Sequence, residues 1–140
     1  RGSSEINQVM FLKRSMMIAL LSSNVINIVQ FPDLSSVQEI KSKKVHMFCV
    51  NNAVYKVDQA SGGKRQQMSL MDQICIVTTD KTLVFFEFSH SSASFKSIND
   101  SGISIGGSLP TQIFWDGDTI YLATKKAYVI MNKQSGELKQ

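Results

Sequence analysis

The side chains able to carry chemistry are few and scattered. His46 lies in an apolar run and His90 in a polar one, and no third ligand stands at metal-binding spacing from either. Core packing and a solvated turn account for them. Asp116-Gly117-Asp118 sets two carboxylates around a glycine, as calcium loops do, but the twelve-residue ligand pattern and its closing glutamate are missing. Gly102, Gly106 and Gly107 surround Ile103–Ile105 without the Lys-Ser/Thr that follows a phosphate loop, so they read as a flexible connector. Ser89–Ser94 offers hydroxyls with no base arranged to activate one. Asn99-Asp100-Ser101 matches a glycosylation sequon, which has meaning only outside the cytosol. Lacking paired carboxylates, a nucleophile–base pair or a metal cluster, the sequence predicts neither an enzyme, a cofactor site nor a metal site.

Cys49 and Cys75 are the only cysteines, each inside an apolar run where a thiol behaves as a small hydrophobe. Two cysteines make no disulfide framework, so buried free thiols and a reducing, cytosolic compartment are expected. The net charge of +4 comes from dispersed clusters, Lys13-Arg14, Lys41, Lys43-Lys44, Lys64-Arg65 and Lys125-Lys126, with acidic residues between them. Nucleic-acid binding needs such charge gathered on one face, so no nucleic-acid partner is expected. Two clusters keep a functional reading beside that of ordinary solvated loops. Lys41, Lys43 and Lys44 form one; Lys64 and Arg65, on the flexible-looking stretch Gln59–Arg65, form the other. Either could meet an acidic partner or anionic lipid headgroups, where each charge contributes about 1 kcal/mol.

The elements that must position these residues are strands. With 43% hydrophobic and 19% charged residues over 140, the chain suits one globular unit. The longest apolar run, Met16–Leu21, is far short of the roughly 20 residues of a membrane helix, and no signal-peptide pattern opens the chain. Arg1-Gly2-Ser3-Ser4 reads as a cloning scar, leaving residues 5–140 as the domain. Ile6–Leu12 is a strand candidate. Met16–Leu21 has the continuous apolar pattern of a strand buried on both faces. Ser22-Ser23-Asn24 turns the chain into Val25–Phe31, and Pro32 ends the ladder because it donates no amide hydrogen. Val37–Ile40 is a short outer strand, and Val45–Val50 a buried one leading through Asn51-Asn52 to Ala53–Val57. Gln73–Thr79 and Thr82–Phe88 flank Asp80-Lys81 as a clear hairpin. A polar turn at His90–Ala93, a strand at Phe95–Ile98 and a loop over Asn99–Gly107 follow. From Ile113, two closing strands, Ile120–Ala123 and Tyr128–Met131, are announced by Asp116-Gly117, since glycine tolerates the positive φ of tight hairpin turns.

Three hairpins superpose without a gap: Met17–Phe31, Ile74–Phe88 and Ile120–Gln134. Their starts lie about 57 and 46 residues apart, near the period of propeller blades, whereas a two-layer sandwich does not require such recurrence. Helical heptads are absent. The expected fold is all-β, a partial propeller of about three blades of antiparallel strands. A propeller needs at least about four blades to close, so the chain is expected to be a fragment of a larger one. Its open strand edges predict self-association or a swapped arrangement. Trp115 and Tyr128 fall within the periodic runs and read as blade packing, although aromatic bulk also suits an interface.

The closing segment carries a family resemblance. Trp115 and Ile120 are followed by Leu122, Ala123, Tyr128, Ile130, Asn132 and Gly136, in a pattern similar to that of citron homology domains. Lys41–Val50 (KSKKVHMFCV) resembles the family's lead into a central strand, and Ile6 to Lys139 follows its strand order. Among members the chain looks most like the N-terminal domains of vesicle-tethering subunits, the HOPS and CORVET family that includes the TGF-β receptor-associated protein. The family domain is longer, so the outer blades would be missing here. The resemblance implies a non-enzymatic interaction scaffold, cytoplasmic and peripheral on endosomal or vacuolar (lysosomal) membranes. It would contact other tethering subunits and a Rab-type small GTPase during vesicle fusion and protein transport. The alternative it implies is a regulatory citron homology domain of a protein kinase or Rho exchange factor that binds small GTPases.

Overall fold

The computed structural model describes residues 5–42, 44–52, 56–58, 65–67, 71–98, 102–133 and 138–139, with backbone alone for 56–58, 65–67 and 138. Every regular element among them is a strand. In chain order they are β1 (Gln8–Leu12), β2 (Met17–Ser22), β3 (Val25–Gln30), β4 (Ser36–Lys41) and β5 (Val45–Val50). Next come β6 (Lys56–Asp58), β7 (Arg65–Gln67), β8 (Gln73–Thr78), β9 (Thr82–Ser89) and β10 (Ser94–Ser97). The last are β11 (Ile103–Ser104), β12 (Gln112–Asp116), β13 (Thr119–Ala123), β14 (Tyr128–Asn132) and β15 (Leu138–Lys139). Three antiparallel sheets result: a first of order β1-β2-β3-β4, a middle one of order β5-β8-β9-β10, and a third of order β12-β13-β14-β15. Among the described residues β6 and β7 pair with each other, and β11 pairs with β9.

Each of the three sequence hairpins forms the central pair of its sheet: β2–β3, β8–β9 and β13–β14. Local chemistry explains the tight ends. Asp116 pairs with Thr119 across Gly117-Asp118, and Gly117 has φ +66°, the positive value a two-residue turn with glycine first requires. Asp80 closes the β8–β9 turn by accepting from the Thr78 hydroxyl. Val37–Ile40 lies in β4, an edge strand as expected, and the ladder ends before Pro32.

Three expectations need correction. Met16–Leu21 is not buried on both faces: Met16 is an exposed turn residue at φ 56°, and β2 alternates, with Met17, Ala19 and Leu21 buried. Ile18 and Leu20 point to the opposite, half-exposed face, which is also apolar and makes the run look continuous. The loop over Asn99–Gly107 contains β11, whose Ile103 and Ser104 pair with Leu83 and Thr82. Gly102 permits this approach, because a Cβ there would collide with the Thr82 methyl group. Arg65 opens β7 and so belongs to a strand, while residues 59–64 of that stretch lie outside the described residues. Most of Ala53–Val57 lies outside them too.

The sheets stack face to face in chain order, because the middle one is apolar on both sides. Phe48, Val50, Ile74, Ile76 and Phe88 join Leu12, Ala19, Leu21, Ile26, Ile28 and Ile40 in a core against the first sheet. Cys49, Cys75, Val77, Leu83 and Phe85 join Trp115, Ile120, Leu122 and Met131 in a core against the third. Strand alternation produces both from the same strands: Phe48 and Val50 face one way, Cys49 the other. β1 lies beside β5, β5 beside β12, and β4 beside β10, so first strands adjoin first strands and last adjoin last.

Carboxamide side chains stitch these edges. Gln8 donates to the Phe48 carbonyl (2.6 Å) and accepts from the Phe48 amide (3.1 Å). Gln38 does the same with Phe95, at 3.1 and 2.8 Å. Asn51 donates to the Gly117 carbonyl at 3.3 Å and accepts from its amide at 2.8 Å. A primary amide presents the donor and acceptor of a peptide group, so each side chain satisfies an edge that backbone pairing leaves open. Buried Asp72, ahead of β8, holds the β1–β2 turn by accepting from the Arg14 and Ser15 amides (3.4 and 2.7 Å) and the Ser15 hydroxyl.

Cross-strand registers give equivalent positions in the three sheets. The pairs Ile18–Val29, Ile74–Phe86 and Ile120–Met131 correspond. The partners stand one residue further apart in sequence in the middle sheet, so the ungapped superposition slips by one strand position in the first and third hairpins. A one-residue slip exchanges the two faces of a strand.

Candidate functional site

The potentially reactive side chains sit in structural positions. His46 is partly buried, and its Nε2 donates to the Pro110 carbonyl at 2.7 Å, tying β5 to the segment ahead of β12. His90 is an exposed turn residue whose ring meets Phe88 edge-on at 5.4 Å. Cys49 and Cys75 are free, buried and directly opposed across β5–β8. Burial pushes the Cys75 thiol well above its ordinary range, reinforced by the hydrogen bond and charge interaction with Cys49. A thiolate is disfavoured there, so this is packing chemistry. The Asp80 carboxyl is held below the usual range by the hydroxyls of Thr78 and Thr82. Among the described residues no three of His, Cys, Asp and Glu gather where they could hold a metal ion. No described helix is long and apolar enough to cross a membrane.

Of the two basic clusters, Lys41 and Lys44 are the members described with their side chains. Lys41 ends β4, exposed, with its Nζ 4.0 Å from Glu39 Oε1 in a solvated ion pair. Lys44 is exposed at φ 57°, and its carbonyl accepts the Thr79 amide. Lys43 and Lys64 lie outside the described residues, and of Arg65 the backbone alone is described. Lys44 precedes β5, whereas the β6–β7 insertion leaves from its other end, about 20 Å along a six-residue strand.

What the sequence reading missed is apolar. The outer face of the third sheet exposes Phe114 (51%), Tyr121 (45%), Ile130 (43%) and Tyr128 (78%). Phe114 pairs with Tyr121 and Tyr121 with Ile130, forming one row across three strands. A groove of about 690 Å³ runs along this sheet, lined by Gln8, Met47, Phe114, Tyr121, Tyr128 and Ile130 among others. Trp115 is fully buried, its indole donating to the Gly117 carbonyl at 2.7 Å and its ring edge-on to Phe85 at 5.3 Å. Trp115 therefore packs as expected, and Tyr128 does not: it points to the opposite face of the sheet. The first sheet has a matching outer face, with Val9 (57%) and Phe11 (44%) exposed. Exposed rows of this kind mark interaction surfaces. The missed signal was that both alternating faces of β12–β14 are apolar, although only one meets the middle sheet.

No protein-family model matches the chain, and no curated protein matches it.

Proposed function

We propose that this chain is a protein-interaction domain without catalytic activity, built as a partial propeller of the citron homology type. In this reading it serves a tethering complex of the HOPS and CORVET kind on the cytosolic face of endosomes or the vacuole. The observation that supports it is the order of the sheets. Three antiparallel sheets, of four, five and four strands and each laid down in chain order around a central hairpin, adjoin through their first strands (β1, β5, β12), and β4 and β10 adjoin at the far edge. Radial blades have this arrangement. Lys41, Lys43, Lys44, Lys64 and Arg65 then supply charge for an acidic partner or membrane.

The experiment is a binding assay of the purified chain against purified tethering-complex subunits and GTP-loaded small GTPases of the Rab and Rho classes. Saturable binding to a tethering subunit or a Rab-type GTPase is expected. Binding to Rho-type GTPases alone, or to none of these proteins, overturns the reading. For the basic clusters, charge reversal at Lys43 and Lys44 should weaken binding to anionic vesicles; unchanged binding removes the membrane role.

A further inference from the structure

The inner and outer faces of the three sheets are equivalent position by position, and this identifies what the exposed row is shaped to meet. The row Met10–Ala19–Ile28 in the first sheet corresponds to Cys49–Cys75–Phe85 in the middle sheet and Phe114–Tyr121–Ile130 in the third. Each of the first two rows packs against the next sheet along the chain, and the third is exposed. Gln112, the first residue of β12, occupies the position of Gln8, since Gln112 pairs with Ala123 as Gln8 pairs with Leu21. Gln8 reaches Phe48 on the next sheet, whereas Gln112 is exposed. The position of Phe48 in the first sheet is held by Val9, and that of Val50 by Phe11, both exposed apolar residues. The outer face of the third sheet and the outer face of the first are thus the two halves of an interface the molecule already forms twice within itself.

We propose that the third sheet of one copy stacks on the first sheet of a second copy, so that two copies close a ring of six sheets through two identical interfaces. Charge favours this occupant. Asn51 reaches across to Gly117, the first turn residue of the next sheet. Its equivalent in the third sheet is the exposed carboxylate Asp116, and the equivalent turn of the first sheet opens with exposed Lys13, followed by Arg14. Asp116 of one copy therefore meets Lys13 of the other, while Gln112 meets the Val9 backbone. A head-to-tail interface stops growing only when its rotation closes a ring, and six sheets fall within the four to eight of known propellers. This inference does not depend on the tethering reading.

The test is the mass of the 140-residue chain in solution from about 1 to about 100 µM, the range in which micromolar association is visible. Light scattering should give twice the 15.6 kDa of one chain at the upper end. Tyr121→Glu, and separately Phe114→Ser, should return the mass to one chain with an unchanged far-ultraviolet circular dichroism spectrum. With Asp116→Cys and Lys13→Cys on separate copies, a short bismaleimide should join the mixture into a covalent heterodimer, and neither variant alone. A monomer throughout, a mass that climbs past two copies, or efficient coupling of Tyr121→Cys to itself overturns the proposal. The last result would place the third sheets against one another.

Discussion

The side chain of Gln8 and the backbone of Phe48 close a reciprocal pair of hydrogen bonds, 2.6 and 3.1 Å long, between the first strands of two sheets. Gln38 and Phe95 repeat the arrangement at the opposite edge of the same interface. Gln8→Ala leaves one partly buried donor and one acceptor of Phe48 open, at a cost of about 1–3 kcal/mol. Gln8→Glu should be no better, because a carboxylate accepts from the Phe48 amide but cannot donate to its carbonyl. Urea denaturation at neutral pH reads both; a variant within about 0.3 kcal/mol of wild type would show that the pair contributes nothing.

Asp72 is held by both main chain and side chain of the β1–β2 turn. Asp72→Ala strands the Ser15 amide at the sheet interface and should destabilise by roughly 2–3 kcal/mol, the scale of hydrogen bonds to a charged group. Asp72→Asn, which keeps an acceptor oxygen, should lose less. Equal losses would mean that the hydrogen bonds are not what Asp72 supplies.

Trp115 and Tyr128 separate core from surface within one hairpin. Truncating the buried indole, Trp115→Ala, should cost about 3–5 kcal/mol. Tyr128→Ala, at a position 78% exposed in the single chain, should stay within about 0.5 kcal/mol of wild type at the low end of the concentration range, where the chain is a single copy, as surface changes do. Thermal melts of the two variants decide, and a reversed order would put the wrong face of β14 inside.

The buried thiol of Cys75 gives stability a pH dependence with a defined sign. Its folded pKa is raised by burial and by Cys49, whereas an unfolded cysteine ionises near pH 8.5. Below about pH 8 both states keep the proton and the thiol adds no slope. Above about pH 9 the unfolded chain holds fewer protons, so stability falls as pH rises. Cys75→Ala should flatten that decline relative to wild type in paired urea titrations. A wild-type curve that falls no faster than the variant's would show that the thiol ionises freely.

Sequence alone made the hairpins legible, because turns such as Asp116-Gly117 and Asp80-Lys81 separate β-branched and aromatic runs. It hid which face each residue takes. Ile18 and Leu20 are as apolar as Met17 and Ala19, so β2 reads as a strand buried on both sides although only one side meets the middle sheet. Turns of unequal length shifted the superposition of the hairpins by one position, which a repeat read from apolar runs cannot detect. Gln8, Gln38 and Asn51 look like ordinary polar surface residues until the neighbouring edge strand is in place. For the candidate site, the charge in the sequence points to Lys41, Lys43, Lys44, Lys64 and Arg65. The exposed row of Phe114, Tyr121 and Ile130 is interleaved with buried Trp115, Ile120 and Met131, and passes for core.

Three sheets stack in series, with the middle one covered on both faces. Residue-resolved amide hydrogen exchange tests this stacking most directly. The amides of Ile74, Cys75, Ile76 and Val77, all fully buried, should exchange only through global unfolding, as the most protected set in the chain. Those of β1, β4 and β15, at the sheet edges, should exchange sooner. If β8 exchanges as fast as those edges, the middle sheet is not enclosed and the stacked arrangement is wrong.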